Sequence, residues 1–240
     1  MPYMKEHRME QQHELDWPAG YRINPRVSIV SDDMIEAFRQ FPASAVGDAM
    51  SRTVGTYGLR QYHPGLDVVM CGPAVTVRIR PGDNLMIHKA LMMVQPGDVL
   101  IVDGGADDTQ AVMGGLMRTT CIARQLAGVV VDGAIRDLAE WAEGGMPIYA
   151  RAHTTRGPTK EGPGEINVPI VCAGLAVLPG DIIVGDADGI VAVPAADAER
   201  ILRKTKAHLE REAAIREGNR TGTSDPERFD AVLRAKGLPV

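Results

Sequence analysis

Arg136-Asp137, with Glu140 three residues further on, is a cluster whose residue types could hold a carboxylate or ketone oxygen together with a cation. A guanidinium can grip a carboxylate or ketone oxygen in bidentate geometry. A neighbouring carboxylate can hold Mg2+, directly or through its waters. In a helical turn, residues three apart share a face, so Asp137 and Glu140 would point the same way. The competing reading of an Arg-Asp pair is a surface ion pair at a helix start. Upstream stands a second set, Gly114-Gly115-Leu116-Met117. A helix beginning there would present backbone N–H groups at its positive end with no side chain in front of them, a site for a carboxylate or phosphate. Close helix packing or a flexible joint is the alternative, because glycine costs a helix interior roughly 1 kcal/mol.

The elements that must position these two sets form one stretch, residues 98–140. An apolar strand at 99–102 is followed by an acidic, glycine-rich turn carrying Asp103, Asp107 and Asp108. After a helical segment comes a second apolar strand at 129–131, and then Arg136-Asp137. Two buried strands joined by a helix make a βαβ unit, which almost always crosses over right-handed. Such units put their chemistry at the carboxyl ends of the strands, where both polar sets fall.

Around this unit the chain reads as short elements. Residues 1–30 make a polar N-terminal arm, 31–194 the domain carrying the site, and 195–240 a C-terminal helix and tail. Ser31 caps a first helix and Ser44 a second. Residues 68–71 and 74–79 read as two strands around a Gly-Pro bend. Asp83 caps a helix over 84–94, with Leu85, Met86, Ala90 and Met93 at helical spacing. The breaker-rich segment 153–167 is a long surface loop, a lid or a subunit contact. Short strands fill 169–193, with Asp188-Gly189 as a hairpin turn. Pro-Gly-Asp occurs at 81–83, 96–98 and 179–181, each time as a type II turn. A thin apolar stripe (Ala198, Leu202, Leu209, Ala213) runs along the C-terminal helix.

Several function classes fall away. A net charge of -5 argues against a nucleic-acid partner, which normally meets a basic face. No apolar run approaches the roughly 18 residues of a membrane span, and the N-terminus lacks a signal-peptide core. A cytoplasmic location and no membrane partner are therefore expected. Cys71, Cys121 and Cys172 are odd in number and far apart, which fits three buried thiols and neither a disulfide framework nor a zinc site. The strand at 99–102 is not followed by Gly-x-Gly-x-x-Gly, and there is no Walker loop or nucleophile elbow. His88 reads as a structural histidine, His63 and His153 show no ligand spacing, and nothing marks Lys89 as a Schiff-base lysine.

Gly115, twenty residues, Arg136-Asp137, two residues and Glu140 together reproduce the G-x20-R-D-x2-E/D signature, and the chain resembles the RraA-like aldolases. These are the class II 4-hydroxy-4-methyl-2-oxoglutarate (HMG) and 4-carboxy-4-hydroxy-2-oxoadipate (CHA) aldolases. The likeness extends through DNLMIHKAL, QPGDVLIVDGG, AGVVVDGAIRD and PGDIIVGDADGIVAVP, over roughly residues 40–205. It implies a compact α/β/β sandwich of the swivelling phosphohistidine-domain type, assembled as a homotrimer or homohexamer. It also implies a divalent cation, Mg2+ or Mn2+, held by Asp137. Arg136 would hold the pyruvyl oxygens, and Gly114, Gly115, Leu116 and Met117 would bind the pyruvate carboxylate through their amides. Glu140 would join Arg136 and Asp137 as the third catalytic side chain. The implied activity is cleavage of a 4-hydroxy-2-oxo acid to pyruvate and a second 2-oxo acid, with oxaloacetate decarboxylation through the same enolate. The family's non-enzymatic branch, which regulates a ribonuclease, is the alternative.

Overall fold

The apolar runs near residues 99–102 and 129–131 form the centre of a large mixed sheet, buried on both faces. In the computed structural model, which describes residues 17–27, 30–225 and 227–240, eleven strands and seven α-helices alternate along the chain. The strands are β1 (Tyr21–Ile23), β2 (Arg60–Gln61), β3 (Met70–Ile79), β4 (Val99–Met113), β5 (Gly128–Ile135), β6 (Ile148–His153), β7 (Gly164–Ile166), β8 (Ile170–Cys172), β9 (Leu175–Val177), β10 (Ile182–Asp186) and β11 (Gly189–Val193). The helices are α1 (Asp32–Arg39), α2 (Ala43–Ala49), α3 (Leu85–Leu91), α4 (Gly115–Ala123), α5 (Leu138–Trp141), α6 (Ala198–Thr221) and α7 (Glu227–Ala235). The first sixteen residues of the expected N-terminal arm lie outside the described residues.

The main sheet runs β1-β7-β3-β4-β5-β6-β2, with β3, β4, β5 and β6 mutually parallel. Successive side chains on a strand face opposite ways, and the two faces are covered differently. Leu100, Val102, Val129, Val131 and Ile135 pack with Met86, Ile87 and Leu91 of α3 and Met117 and Cys121 of α4. Val99, Ile101 and Val130 face Ile170, Leu175, Val177 and Ile183 of the smaller hairpins. A third cluster joins α1, α2 and α6 to β10 and β11. The layering is α/β/β, with β4-α4-β5 as the expected strand–helix–strand unit.

Local chemistry accounts for most boundaries. Ser31 caps α1, its Oγ accepting from Met34 N–H at 3.3 Å. All three Pro-Gly-Asp turns have the positive φ that a type II turn demands of its glycine, +73° at Gly82, +86° at Gly97 and +84° at Gly180. The β10–β11 hairpin forms, but its two turn residues are Ala187-Asp188, one position earlier than expected, because Gly189 already pairs with Asp186. Other expectations also need correction. The segment 153–167 is not a loop throughout: His153 ends β6, and Gly164–Ile166 forms β7, which pairs with β1 and β3 inside the main sheet. Ser44 does not cap α2, which starts one residue earlier after Pro42, with Ala43 N–H donating to Asp186. Residues 70–79 form one continuous strand, because β10 pairs with its first half and β4 with its second. The acidic segment after residue 102 is no turn: β4 runs on to Met113 through three register shifts against β5. Bulges let a strand absorb extra residues without ending. On the C-terminal helix the buried positions are Ala198, Ile201 and Thr205, so the expected stripe is replaced at its centre. Asp83 accepts from Leu85 N–H while Asn84 takes the cap position, and α3 ends at Leu91, three residues early.

The three cysteines are free and buried. Burial pushes the Cys71 and Cys121 thiols up to about 12, so both are protonated and unreactive at neutral pH. Among the described residues no helix is long and apolar enough to cross a membrane.

Candidate active site

The parallel pairing of β4 with β5 sets Met113 beside Ile135, so the residues that follow each strand meet at one corner. Arg136 N–H donates to Met113 O at 2.9 Å, locking the two strand ends together. From there Gly114 continues extended into α4, while Asp137 turns left-handed (φ 61°, ψ 46°) into α5. Asp is among the few side chains that tolerate this conformation, and such residues cluster at functional positions. Trp141, 1% exposed, anchors the turn by donating its indole N–H to Arg136 O at 3.0 Å.

The two glycines are required by side chains rather than by backbone angle. A Cβ at Gly114 would overlap Asp137 Oδ2, and one at Gly115 would overlap both oxygens of Glu140. Two carboxylates thus lie over a side-chain-free corner. Asp137 Oδ2 accepts from Gly115 N–H at 2.8 Å and sits 3.6 Å from Arg136 Nε. This alters the expected amide cradle. The Gly115 amide is already taken by Asp137, and Met117 N–H donates to Gly114 O. Leu116, 87% exposed, has the remaining first-turn amide of α4.

A cavity of about 110 Å3 opens at this corner. Its floor is Ala111–Gly114, Leu116, Met117, Arg136 and Asp137. Gly115 and Glu140 do not line it; they pack against each other behind Asp137. The roof is Asn84 and His88 from α3 with Pro158 and Lys160 from the 154–163 loop. That loop is tied down at both ends of the cavity: Ala111 N–H donates to Arg156 O at 2.8 Å, and Asn84 N–H donates to Thr159 O at 3.0 Å.

His88 is therefore a cavity residue, contrary to its structural reading. Burial and the nearby Lys160 charge lower its pKa, so the ring is neutral at pH 7. Asn84, 4% exposed, donates to Val112 O, while its Oδ1 is a buried acceptor without a partner among the described residues. Sequence reading missed Asn84 and Lys160. The available signals were the four-residue spacing of Asn84 and His88 on one helical face and a lysine inside a breaker-rich loop.

Asp137 is the cavity-lining carboxylate that could hold a hard divalent cation, while Glu140, exposed and lying over Gly115, stands outside the cavity. The other acids are used elsewhere. Asp103 caps Gly105 N–H and faces Arg78, with burial raising its pKa, and Asp107 holds Thr109. Neither lines the cavity, nor does Asp108. His63 is buried against Ile148 and His153 pairs with Tyr62, while Lys89 is exposed outside the cavity. A separate group that could take a cation, Asp48, His208 and Glu212, joins α2 to α6 and shares no residue with this cavity.

Comparison with known proteins points to one family. Residues 43–192 match the RraA-like (Aldolase/RraA) family. A provisionally named HMG aldolase of Halalkalibacterium halodurans is 39% identical over 175 residues, 72% of this chain and 82% of the relative. The HMG aldolase of Thermus thermophilus is 39% identical over 112 residues, 47% of this chain and 68% of the relative. Among solved structures, Streptomyces coelicolor RraAS2, described as an unusual member of the RNase ES inhibitor RraA family, superposes with a TM-score of 0.72. It is 26% identical and covers 80% of this chain and 99% of its own. The RNA-processing inhibitor RraA of Thermus thermophilus gives a TM-score of 0.59 at 31% identity, covering 65% of this chain and 93% of its own. With a family match over more than half its length and the Gly115/Arg136-Asp137/Glu140 corner intact, the chain belongs to the RraA-like aldolase family.

Proposed function

We propose that this protein is a divalent-metal-dependent lyase that cleaves 4-hydroxy-2-oxo acids of the HMG and CHA type to pyruvate and a second 2-oxo acid, and that it also decarboxylates oxaloacetate. The observation that carries this reading is the corner where Asp137 and Glu140 lie over Gly114-Gly115 beside Arg136. Both reactions leave the electrons of a broken C–C bond on the pyruvyl fragment as an enolate, so the site must stabilise negative charge at the former 2-oxo oxygen. Arg136 would clamp the pyruvyl oxygens with its guanidinium. Leu116 N–H and the roof residues Lys160 and His88 offer further donors to the substrate's carboxylates. A divalent cation held at Asp137, with Glu140 orienting its waters, would supply Lewis-acid polarisation of the 2-oxo group. The proton of the 4-hydroxyl passes through a water to one of the two carboxylates. The small cavity, well below the ~300–1,000 Å3 of drug-sized sites, suits a short oxo acid. A homotrimer or homohexamer is the assembly proposed with it.

The test is pyruvate release from a panel of HMG, CHA and oxaloacetate with Mg2+ or Mn2+. EDTA should abolish it, and borohydride with substrate should leave the enzyme active, since no lysine imine forms. No metal-dependent pyruvate from any member of the panel would overturn the reading. The resemblance to solved ribonuclease inhibitors supports a second reading, a regulator that binds a ribonuclease. Inhibition of a ribonuclease E-type enzyme by Asp137→Ala protein as well as by wild type would favour that reading.

A further inference from the structure

We infer that Asp83 is a positioning residue for the proposed reaction, its carboxylate holding Lys160 and the Asn84–His88 segment together as the roof of the cavity. This rests on the lyase reading for its kinetic consequence, but not for its geometry.

Asp83 is 1% exposed, and its two oxygens serve two different elements. Oδ1 accepts from Leu85 N–H at 2.9 Å and so fixes the start of α3, which carries Asn84 and His88 into the cavity. Oδ2 accepts from Thr159 Oγ1 at 2.7 Å and from Glu161 N–H at 2.6 Å, the residues on either side of Lys160. Backbone bonds reinforce the junction: Thr159 N–H donates to Gly82 O at 2.9 Å, and Asn84 N–H donates to Thr159 O at 3.0 Å. One buried carboxylate thus bridges chain segments more than 70 residues apart, with a cavity side chain next to each contact.

The other two Pro-Gly-Asp turns show that this use is not built into the motif. At Asp98 the carboxylate accepts from Gln95 N–H and also from the Arg26 guanidinium, and at Asp181 from Leu178 N–H and also from Ala195 N–H, so both keep the bond from the residue three positions earlier while reaching a second segment. At Asp83 the equivalent amide, that of Arg80, donates instead to Pro163 O. The Asp83 carboxylate is thereby released from its own turn and given to the loop. Burial alone would raise its pKa, but the bonds from Glu161, Leu85 and Thr159 outweigh that and hold it ionised below the usual carboxylate range. An anion accepts three donors at once; a neutral amide cannot.

The experiment is a double-mutant cycle on the full-length protein, reading KM and kcat for pyruvate release. Asp83→Asn is expected to raise KM about tenfold with a smaller effect on kcat, as loss of ground-state binding does. In a Lys160→Met background that effect should largely disappear, because Asp83 is proposed to act on the substrate through the placing of the Lys160 side chain. Should Asp83→Asn not fold, Thr159→Val replaces it, removing one of the three bonds while leaving the carboxylate in place. In parallel, the ε-methyl signal of 13C-methylated Lys160, assigned from its loss in Lys160→Met, is followed by NMR without substrate. It should shift and sharpen in the Asp83 or Thr159 variant as the side chain gains freedom. An undiminished effect in the Lys160→Met background, or an unmoved Lys160 signal, overturns the proposal. Absence of pyruvate release by wild type would instead sink the lyase reading, and the NMR arm would still decide the role of Asp83.

Discussion

The floor and the roof of the cavity are built in opposite ways. The floor comes from two strand ends that pair directly, Met113 with Ile135, so Gly114-Gly115 and Arg136-Asp137 meet because of local register. Its contacts are tight and backbone-based, with Asp137 bonded to an α4 amide and two glycines admitting two carboxylates. The roof comes from α3 and a loop about 70 residues later, joined around one buried carboxylate and the backbone bonds beside it. A register-based corner can hold reacting groups to a fraction of an ångström, whereas a loop-borne wall can be ordered or loosened. The floor is accordingly the place for charge stabilisation and the roof the place for substrate grip.

Four measurements would break or sharpen this contrast. The largest effect is expected at the floor: Asp137→Ala should lower pyruvate release about 10²–10³-fold, the usual cost of removing a main electrostatic group. Its circular dichroism should match wild type, because Asp137 is 41% exposed and the Arg136–Met113 lock does not use its side chain. Next, Gly115→Ala should cost activity about 10-fold or more by pushing Glu140 aside, since small misplacements near reacting groups are expensive. Its melting temperature should fall little, as alanine favours the helix; a fully active Gly115→Ala enzyme would mean that Glu140 needs no fixed place. Lys160→Met, a change in the roof, should raise KM about tenfold and alter kcat less. A kcat collapse without a KM change would move Lys160 from grip to chemistry. Last and smallest, Lys160→Met should raise the pKa of His88 in an NMR titration. Lys160's positive charge disfavours the imidazolium, so its removal favours protonation; burial remains and keeps the value below the ordinary 6.5.

The same contrast explains what could be read without coordinates. Gly114, Gly115, Arg136 and Asp137 stood out because each set follows an apolar run, and apolar runs of that length become paired strands. Glu140 was found by spacing, yet its actual role, filling the room left by Gly115, needed the overlap to be seen. The expected four-amide cradle failed for a related reason: nothing in GGLM reveals that Asp137 takes the Gly115 amide. His88 looked structural because its helix has an apolar stripe, and only packing shows which residues of its polar face border a cavity.

What the sequence determined by itself was therefore short-range. Continuous apolar runs set the central strands, Ser31 and the Pro-Gly-Asp turns set element starts, and the 20-residue spacing matched one strand–helix–strand passage. The tertiary structure alone decided that β4 continues through its acidic segment, since bulged pairing with β5 outweighs the turn propensity of Asp and Gly. It also decided that Asp83, of three equal turn aspartates, is the one that loses the bond from the residue three positions earlier and accepts from the 159–161 segment instead. Both outcomes depend on which backbone donors come within 3 Å after folding, and a local pattern of residue types carries no record of that distance.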